Sequence, residues 1–436
     1  MNLFVFIRLF LSLILLIPIY THAEDINLDD LSLNSAEQLF KANNRELLAA
    51  RRAVEASQAD TITAGQKPNP SLNIGVSSFN LNRNQGNRNP NGSNGITDQT
   101  LNTSIQVSQL YERGNKRELR QASAEKALKA SQYDYKDTTR QQELALKSAY
   151  YDLLLAQDSE NIQRTNVELY EKTLKASELR LSAGDIASSD VARIRVDALR
   201  AKNDLRQAVA SHQNAQTNLA YMIGKEKESD SIKATDPWPD IHNVPSSLSE
   251  PIDDSRLDSR ADVLAAEARM QQADQNRKLA ESLKSRDVVV GLGYQHFPGQ
   301  EPGAGEHTIG ASVSIPLFTN YEYQGEIARS EVDYTTALES REQARAAALG
   351  EIERARADLN ASIEKVQRFD EQMLAEAQKA ADAAEFAYQH GAMGVTDLLD
   401  SRRILRALQL DAVSVRADYA KSLAAWQAAI VSEENK

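Results

Sequence analysis

Two hydrophobic periods share this chain of 436 residues, and each of them occurs twice. The first is a period of two. Leu72, Ile74 and Val76 alternate with Asn73, Gly75 and Ser77, and Leu101, Thr103, Ile105 and Val107 alternate with Asn102, Ser104, Gln106 and Ser108. A polar stretch rich in Asn, Gly and Arg, residues 80–100, lies between them and reads as a long exposed loop. The pattern returns at Val288, Val290, Leu292 and Tyr294 and again at Ile309, Ala311, Val313 and Ile315, on either side of a Gly/Pro loop, residues 297–305. Alternation predicts strands, because successive side chains of a strand point to opposite faces. Each predicted strand has about eight to ten residues, close to what a tilted transmembrane strand needs, although a hairpin on a soluble core leaves the same signature. Four strands do not close a barrel, since the smallest membrane barrels have about eight. Bilayer-spanning strands here would therefore require several chains.

The second period is the heptad. Val191, Ile194, Ala198, Ala201, Leu205, Ala208, His212, Ala215, Leu219 and Met222 follow one another at spacings of three and four. The positions 207 residues later are Leu398, Ser401, Leu405, Leu408, Ala412, Val415, Tyr419, Ser422, Trp426 and Ala429. Immediately before each run a Gly is followed six residues later by an Asp and an apolar residue: Gly184, Asp190 and Val191, then Gly391, Asp397 and Leu398. Such spacing predicts paired helices in a left-handed supercoil, and the small residues let them approach closely. A long helical hairpin is thus duplicated in register. On the heptads alone, an ordinary antiparallel coiled coil fits equally well; the attached strand pairs argue against it.

Helix lengths add geometry. Ser35 to Ala64 reads as a helix with Ser35 as its N-cap, ended by Lys67-Pro68-Asn69-Pro70. Glu118 to Ser182 is free of Pro and would be about 98 Å long, while the return from Ser188 to Ile223 would be only about 53 Å. In the second copy Glu326 to Gln389 would be about 96 Å, Val395 to Ser432 about 56 Å and Arg260 to Ser285 about 39 Å. Two short helices end to end would match one long helix in each copy, in a column about 100 Å tall with strand hairpins at one end. The predicted organisation is a first repeat over 24–224, with a β-hairpin at 70–109 and a helical hairpin at 117–224. A second repeat covers 260–436, with its β-hairpin at 287–316 and helical hairpin at 325–432. Residues 225–259, with Pro237, Pro239, Pro245 and Pro251, read as an irregular linker or lateral belt.

Composition narrows the function. Arg8, the apolar run from Leu9 to Tyr20 and Thr21-His22-Ala23 predict a secretory signal peptide over 1–23. No later stretch is apolar enough for a transmembrane helix. The chain has no Cys, which removes disulfides and thiolate ligands. A net charge of −12 argues against nucleic-acid binding, which phosphate neutralisation dominates. There is no nucleophile elbow, phosphate loop, dinucleotide fingerprint or zinc-protease motif, so the chain reads as a non-enzyme without a cofactor. Metal ligation at the second Gly turn, by His390 with Met393, is the weaker reading beside a solvated turn.

With these features together the chain resembles the TolC family of outer-membrane efflux channels over nearly all of its length beyond the leader. Lys67-Pro68-Asn69-Pro70 resembles the family's entry to its first strand. Ser314-Ile315-Pro316-Leu317-Phe318 and Gln109 to Arg117 resemble its strand-to-helix junctions. Arg286 to Tyr294 and Tyr321 to Ile327 are similar to the cobalt–zinc–cadmium subgroup. The resemblance implies a mainly helical fold with a membrane barrel, three chains giving four strands each to a 12-stranded barrel on a helical periplasmic tunnel. It implies a Gram-negative outer-membrane location and three partners: two further copies of the chain, a periplasmic adaptor and an inner-membrane pump of the RND type. The implied function is efflux, of divalent heavy metals in this subgroup. Drug efflux and type I protein secretion are the alternatives within the family, and a periplasmic adaptor or structural trimer is the alternative outside it.

The resemblance also assigns roles at the hairpin tips. Asp397 and Asp400 match acidic positions lining the tunnel entrance, and three copies would form two rings of carboxylates that attract cations. The bland reading is that they are first-turn acids behind a Thr396 cap. Asp190 and Tyr388 match positions that hydrogen-bond between hairpins and hold the entrance shut. Met393 stands where a basic partner is expected, with Arg193, Arg402 or Arg403 as substitutes. Gly184, Asp185, Gly391, Ala392 and Gly394 form the tip turns, within adaptor-docking loops at 183–189 and 392–396.

Overall fold

The computed structural model describes residues 26–77, 102–297 and 306–430. The predicted leader, the loop at 80–100 and all but Phe297 of the second loop lie outside these residues. Helices α1 (Leu33–Asn43) and α2 (Arg45–Ala64) are followed by strands β1 (Ser71–Ser77) and β2 (Asn102–Tyr111). Next come α3 (Lys116–Ser182), α4 (Ser188–Ile223), α5 (Asp254–Asp258) and α6 (Ala261–Ser282). The second copy supplies β3 (Val288–His296), β4 (His307–Ser314), α7 (Gln324–Arg368), α8 (Leu374–Gln389) and α9 (Val395–Ala429). Among the described residues no helix is long and apolar enough to cross a membrane.

Two predicted helices are divided. The N-terminal one is capped by Ser32, not Ser35: the Ser32 hydroxyl accepts from the Ser35 N–H at 3.1 Å. It breaks at Asn44, whose backbone is extended and whose side-chain amide donates to the Met222 carbonyl at 3.3 Å. A tertiary partner overrides a locally continuous helix. In the second copy, a π turn at Phe369–Met373 separates α7 from α8, while α3 is unbroken. Both long helices start after a non-glycine residue at positive φ, Asn115 and Tyr323. These stand 208 residues apart, against 207 between the tip glycines, so the arm with the π turn is one residue shorter.

The chain divides into two compact units. Among the described residues the first comprises 26–45, 141–249 and 355–428. Its core includes Leu31, Phe40, Tyr150, Leu153, Leu219, Ile223 and Ile232. The part of the predicted 225–259 linker or belt that lies in this unit, 225–249, is strapped to the helices. Leu31 pairs with Ala234 in a parallel bridge, and the buried Tyr150 hydroxyl donates to the Leu31 carbonyl at 2.9 Å and accepts from the Asp236 N–H at 3.1 Å. Burial pushes the Tyr150 phenol up to about 12. Gln157 exchanges two 2.9 Å bonds with the Ala234 backbone, and the heptad residue Tyr419 donates to the Asp240 carbonyl at 3.1 Å. Gly224, at φ 72°, closes α4 beside Asn43, where a Cβ would come within 2.6 Å of the Asn43 side chain.

The second unit comprises, among the described residues, 46–77, 102–140, 250–297, 306–354 and 429–430, and holds one antiparallel sheet in the order β1-β2-β3-β4. Its register sorts the faces. Leu72, Val107, Leu292 and Ala311 form one row across the four strands, and Ile74, Ile105, Tyr294 and Ile309 form the next. The opposite face carries Ser71, Ser108, Gly291 and Ser312, then Asn73, Gln106, Gly293 and Gly310. The apolar face is exposed, with Ile74 at 70% and Ile309 at 86%, and β1 and β4 are open edges. The last strand stops at Ser314, one residue before the predicted Ile315. The first strand-to-helix junction meets the segment that starts at Arg286: buried Lys116 donates to Asp287 and to the Ser285 carbonyl, each at 2.7 Å, and the Arg113 N–H donates to Asp287 at 2.9 Å.

Candidate functional site

The tips of both helical hairpins lie in the first unit and are built alike. At the first, the Gly184 N–H donates to the Leu181 carbonyl at 3.0 Å and the Asp185 N–H to the Arg180 carbonyl at 2.9 Å. At the second, Gly391 donates to Tyr388 at 3.1 Å and Ala392 to Ala387 at 2.8 Å. This is the Schellman closure of a helix, which needs a residue in the left-handed region, and Gly184 and Gly391 sit there at φ 81° and 72°. The duplicated glycines are thus explained by backbone geometry. Asp190 and Asp397 each fall in the first turn of the helix that follows, where a carboxylate opposes the helix dipole.

Asp397 and Asp400 are exposed on one face of α9, three residues apart. Asp400 accepts from Arg403 at 2.9 Å. Thr396 is no cap: α9 starts at Val395, and the Thr396 hydroxyl instead accepts from Arg193 at 2.9 Å. Tyr388 packs against a cluster of Val167, Tyr170, Ile194, Ala198, Ala201, Val395 and Leu399, with the Arg180 guanidinium 5.4 Å over its ring. No hydrogen bond joins Asp190 to Tyr388 within the chain. His390 bonds the Phe386 carbonyl through Nδ1 at 2.8 Å, and its ring lies tilted against the Phe386 ring at 4.1 Å. Among the described residues no group of three or more His, Asp or Glu is placed to hold a metal.

The substitutes for the missing basic partner are all engaged across the two hairpins. Besides Arg193 on Thr396, Arg402 donates to Thr173 at 2.7 Å and pairs with Glu385. Arg403 spans both carboxylate oxygens of Asp197 at 2.7 and 2.9 Å, and Arg406 pairs with Asp204 at 2.6 Å. Asp197 and Arg402 are each only 5% exposed. Burial works against the Arg403 charge, but the Asp197 carboxylate outweighs it and holds the guanidinium above the usual arginine range. Burial, aided by the Asp197 charge, raises the Tyr170 phenol. Sequence reasoning stopped at Asp190 and missed Asp197, Asp204 and Arg406. The signal was present, since Asp190, Asp197 and Asp204 recur every seven residues on the face that meets α9.

Comparison with known proteins places this geometry. The profile of a family described as outer membrane efflux protein matches residues 37–225 and 254–430. The pyoverdine export outer membrane protein OpmQ of Pseudomonas aeruginosa is 25% identical over 402 residues, covering 88% of this chain and 81% of that protein. The cobalt-zinc-cadmium resistance protein CzcC of Cupriavidus metallidurans is 21% identical over 375 residues, covering 86% of this chain and 84% of that protein. The CmeC outer membrane channel of Campylobacter jejuni superimposes with a TM-score of 0.76 at 15% identity, over 91% of this chain and 85% of that one.

Proposed function

The chain belongs to the outer membrane efflux protein family, and from that premise we propose that it is the outer-membrane duct of a three-part export machine. The sheet carries the reading. One face is apolar and exposed, the other small and polar, and both edges are open. In a bilayer every strand edge must be paired, so the sheet has to be closed by other copies. Three copies would form a 12-stranded barrel with the apolar rows against lipid. The tip loops around Gly184, Asp185, Gly391, Ala392 and Gly394 would then dock a periplasmic adaptor linked to an inner-membrane pump. Asp190 and Tyr388 would act between copies, as neither meets the other within one.

The proposed cargo is divalent heavy-metal cations, drawn by rings of Asp397 and Asp400. Their exposure on one helix face supports this, as do the similarity to CzcC and the resemblance of Arg286 to Tyr294 and of Tyr321 to Ile327 to the cobalt–zinc–cadmium subgroup. Growth of a deletion strain on cobalt, zinc, cadmium, nickel and copper tests it. Sensitivity to divalent metals with normal tolerance of drugs is expected. Normal metal growth with lost export of an organic compound, as the similarity to a pyoverdine exporter would suggest, sinks the metal reading and leaves the duct standing.

The barrel has its own test. Leu292→Arg places a cation on the apolar face, a cost of about 2–4 kcal/mol in mid-bilayer, and is expected to deplete assembled protein in outer-membrane extracts. Thr308→Lys, on the polar face, should assemble normally. Equal assembly of both would contradict a lipid-facing role for that row.

A further inference from the structure

The first unit contains a groove of about 740 Å³ between α3, α4 and α9. Its lining carries the carboxylates Asp152, Asp204 and Asp411 together with Arg406. Asp152 is taken by Lys421 and Asp204 by Arg406, but no described residue pairs with the exposed Asp411. The floor mixes Leu155, Ala156, Ala208, Ala215 and Leu410 with Ser159, Gln207, Ser211 and Ser414. Gln163 also lines the groove; it is 8% exposed, and its amide oxygen is buried without a hydrogen-bond donor. A buried acceptor without a donor is rare in folded proteins. The terminal torsion of an amide side chain is soft, so a bound donor would have to draw this oxygen round to the groove.

These features specify a ligand class. With Asp152 neutralised by Lys421 and Asp204 by Arg406, the Asp411 carboxylate leaves the groove one uncompensated negative charge, which favours a cation. The volume is far beyond a bare metal ion, a water molecule occupying about 30 Å³, and falls in the roughly 300–1,000 Å³ range of sites for drug-sized molecules. Small apolar side chains on the floor suit a flat hydrocarbon body. The vacant acceptor of Gln163 calls for an N–H donor. We propose that the groove binds an organic cation bearing N–H donors, an amidinium or primary ammonium on a flat apolar body, with its charge at Asp411 and a donor directed to Gln163. The site is independent of the cargo assigned above, because it is read by binding to the purified protein and not by export.

The test is fluorescence titration of the full-length, detergent-purified protein with the diamidine 4′,6-diamidino-2-phenylindole. Saturable binding at one site per chain is expected. Asp411→Asn should weaken it about tenfold, the scale of one charge-assisted hydrogen bond. Ala208→Leu fills the floor and should abolish it, and Gln163→Leu should weaken it without loss of charge. Gel filtration and circular dichroism check that each variant is natively assembled. Absence of saturable binding overturns the site, as does unchanged affinity in a natively assembled Ala208→Leu protein. Equal displacement by magnesium chloride and by sodium chloride at matched ionic strength would mark diffuse counter-ion binding and overturn it too.

Discussion

Arg260→Ala is expected to destabilise the protein by about 3–5 kcal/mol, as loss of one partner from a buried ion pair does. The Arg260 guanidinium is 1% exposed. It donates to the Ala429 carbonyl at 2.8 Å, to both oxygens of Asp262 at 3.1 and 2.8 Å, and to Glu351 at 2.8 Å. Arg140 adds a 2.7 Å bond to the other oxygen of Glu351. Truncation leaves the end of α9 and two half-buried carboxylates without their shared donor. Arg260→Lys keeps the charge but loses the planar fork and should fall between the two.

The same network fixes a pH dependence. Burial pushes Asp262 and Glu351 up, but the hydrogen bonds and charge of Arg260 more than offset it, so both carboxylates titrate below their ordinary range. A carboxylate depressed in the folded state contributes stability that is complete above its unfolded value, about 3.9 for Asp and 4.3 for Glu, and lost as pH falls through the folded value. The native protein should therefore weaken steeply below about pH 4. In Arg260→Ala, Asp262 loses its partner and Glu351 keeps only Arg140, so the acid slope should flatten. Denaturant unfolding followed by circular dichroism at neutral and acid pH reads both effects. An unchanged acid slope would remove Arg260 from the centre of this network.

The strands and hairpins were legible because their periods are local. Leu72 to Ser77 and Val288 to Tyr294 announce their faces through neighbours two residues away, and the sheet register then aligns those faces. The tip glycines were legible for the same reason, as a Schellman turn is set by six consecutive residues. What stayed hidden depends on partners far along the chain. Asn44 interrupts a helix because Met222 lies 178 residues away, and Trp426 fills a heptad position yet donates to Ser247 in the belt. A heptad label specifies which side of a helix is covered, not what covers it. The Thr396 cap failed similarly: the threonine is spent on Arg193, a residue of the other hairpin.

The arginine clamp gives the largest functional expectation. Arg193, Arg402, Arg403 and Arg406 all cross between the first hairpin and the second, so any separation of the tips must break them. Arg403 is the member to remove. Its own side chain is 46% exposed, while the Asp197 carboxylate it spans is 6% exposed. Loss of Arg403 leaves this buried charge with Arg200 alone, at 3.9 Å, and favours entry of water between the hairpins. Arg403→Ala is expected to raise single-channel conductance in planar bilayers several-fold, with Asp197→Asn giving a smaller rise because it removes charge and leaves a neutral partner. The exchanged pair, Asp197→Arg with Arg403→Asp, should bring conductance back toward the native level. Asp397→Asn, on the exposed face of the same helix, should instead reduce cation selectivity with little change in conductance. Native conductance in both Arg403→Ala and Asp197→Asn would show that the clamp is structural padding, and would return the gate to Asp190, Tyr388 and contacts between copies.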